Sequence, residues 1–220
     1  MTDILDVEPS PPRTGRPLSI VHKIIVGVWA VAVFAGMLWI WDYKTIPGRA
    51  SSPPVAWPES VGLKRSGVTL VMTLHPLCPC SQASVSELAR LLGSIQQRPT
   101  VYALFVGLEA NDAEATKAAR VEDASLWQRA SAIPGVTAIP DPDGTISRAF
   151  AGETSGDVIA YGANGELLYH GGLTAARGHE GDSFGLQRLR AVLRGDTPDL
   201  RSSPTFGCPL VDPRKDGVKL

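Results

Sequence analysis

A chain of 220 residues with 44% hydrophobic and 20% charged side chains is too apolar to stay disordered and long enough for one folded core plus an appendage. Its 21 basic and 22 acidic residues leave a formal charge of −1 at pH 7, with no basic stripe and no acidic tail, which argues against nucleic acid as a partner.

In chain order, the first segment is crowded with Pro9, Pro11, Pro12 and Pro17, and residues 1–20 read as a cytoplasmic tail. Ile24 to Trp41 then runs for 18 residues without a charge, a polar amide or a proline, which suits a membrane span of roughly 20 residues. The transmembrane helix is placed at residues 21–43. Trp39, Trp41 and Tyr43 sit at its far end, where amphipathic rings favour the lipid headgroups, and His22 and Lys23 precede its near end. Arg13, Arg16 and Lys23 before the span outnumber Lys44 and Arg49 after it, a slight bias towards a cytoplasmic N-terminus. The expected location is the inner membrane, with the C-terminal domain in the periplasm or otherwise outside the cytoplasm. A cleaved signal peptide fits less well, since its apolar region runs about 7–15 residues and the small residues at Gly48 to Ala50 lie far downstream. Pro47, Pro53, Pro54 and Pro58 mark residues 44–60 as a Pro-rich linker.

Residues 61–200 read as one α/β domain and residues 201–220 as a C-terminal tail. Gly67 to Leu74 is a buried strand, and the helix after it carries Val85, Leu88, Leu91, Leu92 and Ile95 at helical spacing. Thr100 to Gly107 is a second strand, so the three elements make a βαβ unit with parallel strands and a right-handed crossover. Leu108 to Pro134 is expected to hold a helix with Leu126, Trp127 and Ile133 in the core. A third strand comes next at Gly135 to Pro140, then a turn at Asp141 to Gly144 and a short helix from Thr145. Asp141, Asp143 and Glu153 lack the spacing of a calcium loop. Asp157 to Gly172 is a hairpin around Ala163-Asn164-Gly165, and Ser183 to Gly195 is the closing helix.

Cys78 and Cys80 fall in the first strand-to-helix turn, with Pro79 between them and His75 and Ser81 on either side. A thiol at a helix start faces unpaired backbone N–H groups and the positive end of the dipole, both of which favour the reactive thiolate. His75 would add positive charge when protonated, or point into solvent. Four readings of the pair stand. Inert packing is one, poorly matched by Pro79 and the polar Ser81-Gln82. A Cys78–Cys80 redox pair is the leading one, its small ring strained and labile. Cys78 attacking alone and resolving with Cys208 is the third. In the last, His75, Cys78 and Cys80 bind copper(I) or zinc, with His170 or His179 as a distant ligand. The Gly-rich stretch Gly171 to Gly185 holds Arg177 and His179, candidates for stabilising a thiolate and moving protons. Asp182 or Ser183 is placed to cap the closing helix.

The order of elements, with cysteines at the first turn, resembles the thioredoxin-like superfamily over most of Gly67 to Gly195. Through "HPLCPCS", "TSGDVIAYGANGELLYHGGLT", "RGHEGD" and "FGCPL", the chain is similar to bacterial membrane-tethered RedB-type thioredoxin-like proteins. The resemblance implies a thioredoxin-like fold, a central mixed sheet flanked by helices, behind one N-terminal transmembrane helix. It implies thiol–disulfide exchange on protein or small-molecule thiols and disulfides, with redox-active cysteines and no cofactor. Relatives with a C-P-P-C motif place a helix leucine ten residues after the attacking cysteine. Leu88 stands so to Cys78, which makes Cys78 the attacker, Cys80 the expected resolver, and Ser81 the occupant of the usual second-cysteine position. Where the superfamily carries a cis-proline, this chain has Thr154, Ser155 and Gly156, whose hydroxyls are expected beside Cys78. The alternative the resemblance allows is a copper chaperone binding through His75, Cys78 and Cys80.

Overall fold

The computed structural model describes residues 19–107, 125–196 and 201–210. The expected tail before residue 19, the helical stretch before Ser125 and the chain beyond Leu210 lie outside the described residues. Ile20–Thr45 forms α1, 26 residues with no buried side chain and a mean hydropathy of 2.3 in its most apolar window. At about 1.5 Å per residue it exceeds the roughly 30 Å hydrocarbon core of a bilayer, and a helix apolar all round has no polar face to turn to water. It is therefore long and apolar enough to cross a membrane. Contacts divide the chain between Trp41 and Asp42 into two units, the first carrying most of α1 and the second the folded domain.

The second unit is built on a six-stranded sheet in the order β3-β2-β1-β4-β5-β6. β1 (Thr69–Leu74) is buried along its whole length, as an apolar run at the centre of a two-sided sheet must be. β2 (Thr100–Val106) pairs with it in parallel after α2 (Ser81–Ser94), and β3 (Val136–Asp141) pairs with β2 in parallel after α3 (Ser125–Ser131). On the other side β4 (Asp157–Tyr161) runs antiparallel to β1, with Thr73 opposite Asp157, and β5 (Leu167–Gly172) returns antiparallel to β4. β6 (Ser202–Ser203) adds two residues in parallel to β5. α4 (Thr145–Ala149) lies between β3 and β4, and α5 (Phe184–Leu193) between β5 and β6.

Side chains alternate across β1, so its two faces feed two cores. Leu70, Met72 and Leu74 pack with Val85, Leu88 and Leu91 of α2, Leu126 of α3 and Leu186 and Leu189 of α5. Val71 packs with Trp57, Leu104, Phe150, Ile159 and Tyr161 on the opposite face. Asp141 is buried where β3 ends and accepts from Ile146 N and Ser147 N at 3.0 and 2.7 Å, which makes it the N-terminal anchor of α4. Ser183 does the same for α5, its Oγ accepting from Leu186 N at 3.0 Å.

Two stretches read from composition as connectors are part of the domain. Within residues 44–60, Leu167 N donates to Val55 O, Trp57 N to Gly165 O and Tyr161 OH to Pro54 O, while the Trp57 ring sits edge-on to Phe150 and Tyr161. Proline stiffens this stretch, but the aromatic anchor and its backbone bonds decide where it lies. Of residues 201–220, Ser202 and Ser203 extend the sheet, and the chain to Leu210 runs on against the first turn.

Candidate functional site

The C-terminal end of β1 delivers residues 75–80 into a turn closed by its own backbone. Cys78 N donates to His75 O at 3.0 Å, Ser81 N to Cys78 O at 3.2 Å, and Gln82 N to Pro79 O at 3.4 Å. Cys80 is the last residue before α2 and already has helical angles, with no side-chain capping bond. Cys78 and Cys80 are buried, whereas Leu77 and Pro79 stand exposed on the rim.

Thr154 to Gly156 pass behind this turn, and Ser155 is the junction. Its Oγ accepts from His75 N at 2.7 Å and lies 2.6 Å from Ser81 Oγ. A hydroxyl that already accepts from an N–H keeps its own proton to give, so Ser155 can donate to Ser81 and leave the Ser81 proton for Cys78. Gly156 has φ +93° and donates to Thr73 O at 2.7 Å, and a Cβ there would meet Ser84 Oγ at 2.8 Å. Only glycine fits that pass between strand and helix. Thr154 points the other way, its Oγ1 donating to Arg49 O at 2.9 Å.

Cys208 arrives from the far end of the chain. Its sulfur lies 3.1 Å from Cys78 Sγ, and the sulfurs of Cys78, Cys80 and Cys208 all lie within 4.8 Å of one another. Cys208 O accepts from Ser155 N at 2.8 Å, so one serine touches both the turn and the incoming segment. His75 takes a different place from the one expected of a metal ligand: its Nδ1 accepts from Leu77 N at 3.3 Å, and Cys208 is the third member of the thiol cluster.

Arg177 donates through Nη1 to Gly207 O, and its guanidinium stands 5.3 Å from the Tyr43 ring. Its charge acts on Cys80 and Cys208. His179 is exposed in the adjoining loop, its N–H donating to Ala176 O at 3.2 Å. That loop is pinned to α2 by Glu87, 1% exposed, which accepts from Gly181 N at 2.6 Å and from Arg90 Nη1 at 2.7 Å, while Arg90 also reaches Glu180 at 2.6 Å. Glu87 was not singled out in the sequence, although a carboxylate four residues before Leu91 on an apolar helix stripe is itself a signal of a buried partner.

The electrostatics separate the three thiols. Cys78 is pulled down to about 4, first by its hydrogen bond with Cys208 and then by the Ser81 hydroxyl and N–H, against the opposing effect of burial. Cys208 is pushed up first by its hydrogen bond with Cys78 and then by partial burial. Burial pushes Cys80 up as well, the Cys78 charge adds to this, and Arg177 pulls it back. Cys78 is thus the thiol whose ionised form the site favours, while Cys80 and Cys208 are pushed the other way. Below them Asp157, 1% exposed, accepts from Thr205 Oγ1 at 2.9 Å through Oδ1, and burial raises its carboxyl to about 6.

No family model and no curated protein matches the chain. Among solved structures it is similar to a hypothetical protein from Sinorhizobium meliloti, at 23% identity over 75% of this chain and 93% of that one, with a TM-score of 0.53. It is similar to an uncharacterized conserved protein from Geobacillus kaustophilus at 18% identity over 76% and 92%, again with a TM-score of 0.53. An exposed lipoprotein thioredoxin from Streptococcus pneumoniae matches at 12% identity over 66% and 99%, with a TM-score of 0.40. The fold is thioredoxin-like: a βαβ unit and an antiparallel hairpin share one mixed sheet, with helices on both faces.

Proposed function

We propose that the chain is a membrane-anchored thiol–disulfide oxidoreductase of the RedB type, working outside the cytoplasm on protein or small-molecule thiols and disulfides. Cys78 is the attacking thiolate, and Cys208 is the thiol that resolves its mixed disulfide. The observation that carries this reading is the 3.1 Å separation of their sulfurs. Once Cys78 has attacked a partner disulfide and carries one partner sulfur, Cys208 in van der Waals reach has only to lose its proton and attack Cys78 Sγ, releasing the partner sulfur as thiolate, to close the internal disulfide. The anchor is α1, and the RedB assignment is supported by the motif strings around Cys78, Ser155, Arg177 and Cys208.

Ser81 and Ser155 hold negative charge at Cys78, and Arg177 adds positive charge beside Cys80 and Cys208. Cys80, which the sequence favoured as resolving thiol, becomes in this reading a reserve donor. Three thiolates are also a soft ligand set for copper(I) or zinc, and Cys78, Cys80 and Cys208 would hold such an ion. Thiolates sharing one tetrahedral ion at about 2.3 Å stand about 3.8 Å apart, so the shorter Cys78–Cys208 separation favours sulfur–sulfur chemistry. The test is incubation of the detergent-solubilised chain and its Cys208→Ser variant with glutathione disulfide. The variant should hold one glutathione on Cys78, while the parent should lose it to an internal disulfide. A parent that retains glutathione as the variant does would overturn Cys208 as the resolving thiol.

A further inference from the structure

Cys78 begins a helix at the end of a strand, between exposed Leu77 and Pro79, yet it is itself only 3% exposed. Against its sulfur lies the last described stretch of the chain, which is fastened in two different ways. At its base Thr205 is buried, donating through Oγ1 to Asp157, while its carbonyl accepts from Gly48 N at 2.8 Å. Ser203, just before it, bonds Tyr169 OH and Gly172 O. Beyond Gly207 the attachment is mostly backbone. Ser155 N donates to Cys208 O, Leu210 N donates to Glu153 O at 3.0 Å, and Thr154 and Pro209 form an antiparallel bridge.

The outer segment is therefore an extended peptide paired along Glu153–Ser155, with a cysteine presented to the nucleophile. Main-chain pairing of this kind binds a strand for its backbone and leaves one side chain to give specificity. Gly207 permits the approach: a Cβ there would run into Ser155 O, a backbone atom that cannot swing aside. We propose that Gly207–Leu210 is a displaceable strap on the edge that a cysteine-bearing protein segment must use to reach Cys78. Its departure admits the substrate, and its return both resolves the mixed disulfide and expels the substrate. The proposal rests on the thiol-exchange reading above.

The chemistry balances with a partner disulfide as oxidant. With the strap away, Cys78 thiolate attacks one sulfur of that disulfide, forming a Cys78–partner bond and releasing the other partner sulfur as a thiolate that takes a proton from water. When the strap returns, Cys208 gives up its proton and attacks Cys78 Sγ. The Cys78–Cys208 bond forms and the second partner thiolate leaves, so two electrons pass from the two cysteines to the partner.

The test uses the full chain in detergent with all thiols reduced, beside Gly207→Ala and Leu210→Asp, which leave the three cysteines in place and disturb the strap at its closest approach and at its buried outer side chain. Iodoacetamide labelling of Cys78 is followed by peptide mass, and thermal melting by circular dichroism shows which chains are folded. A strap that is mostly closed lowers the labelling rate by the fraction open, so a folded variant should label roughly tenfold faster than the parent. Either variant suffices if the other fails to fold. Equal rates in parent and folded variants would overturn the strap and leave thiol exchange standing. A Cys78 that stays unlabelled in every folded chain, yet labels in urea, would overturn both.

Discussion

The turn at residues 75–81 and the segment at residues 207–210 each bring a cysteine to the same point, and they are held there by opposite means. The turn is closed by bonds between neighbours, from Cys78 N to His75 O and from Ser81 N to Cys78 O, above an α2 whose Leu88 and Leu91 are locked in the core. The segment has no such local closure, and its bonds run to Glu153, Ser155 and Arg177. A locally closed turn on a packed helix keeps the nucleophile fixed. A strand attached along one edge can leave at the cost of a few bonds, each contributing about 0.5–1.5 kcal/mol. On the proposed mechanism, the difference gives a rigid attacking thiol and a releasable resolving one.

Substitutions can break or sharpen that contrast. Cys78→Ser should have the largest effect, abolishing exchange with glutathione disulfide because it removes the proposed attacking thiol at the helix start; residual exchange mapped to Cys80 would put the nucleophile elsewhere. Next comes the base of the strap. Asp157 has its folded pKa raised from 3.8 to about 6, so its contribution is fully present below pH 3.8 and is lost as pH rises through about 6. Asp157→Asn should flatten the melting temperature across that window, an effect on the order of 3 kcal/mol at most, while keeping an acceptor for Thr205. A melting profile unchanged by the substitution would show that Asp157 does not carry the pH dependence.

Ser155→Ala removes the hydroxyl that joins His75 to Ser81 but keeps the N–H that holds Cys208. It should destabilise by about 1–3 kcal/mol and raise the pKa of Cys78, read from the pH dependence of iodoacetamide labelling. Cys80→Ser should matter least, changing exchange by less than about tenfold, since the proposed exchange closes its bond on Cys208 and not on Cys80. A larger loss in a glutathione turnover assay would return the resolving role to Cys80.

Much of this architecture is set by local pattern. The alternation of apolar residues and the helical spacing of Val85, Leu88 and Leu91 place the βαβ unit, and Asn164-Gly165 places the hairpin, because each signal lies within a few residues of the structure it specifies. The same locality puts Cys78 and Cys80 at the first turn. Cys208 is different, since 130 residues separate it from Cys78 and its segment is held mainly by backbone pairing, which leaves no side-chain period to read. Its glycine and proline neighbours only become meaningful once Ser155 is seen opposite them. Residues 44–60 show the converse. Proline density looks like a linker, while one Trp57 buried against Phe150 and Tyr161 turns the stretch into part of the domain.

The most direct measurement equilibrates the detergent-solubilised full chain in glutathione redox buffers without added metal, then takes its intact mass and locates any bond by fragmentation. The expected result is loss of two hydrogens with a Cys78–Cys208 disulfide and Cys80 free to alkylate. A Cys78–Cys80 bond, a retained metal ion protecting all three sulfurs, or three unreactive thiols would each contradict the account.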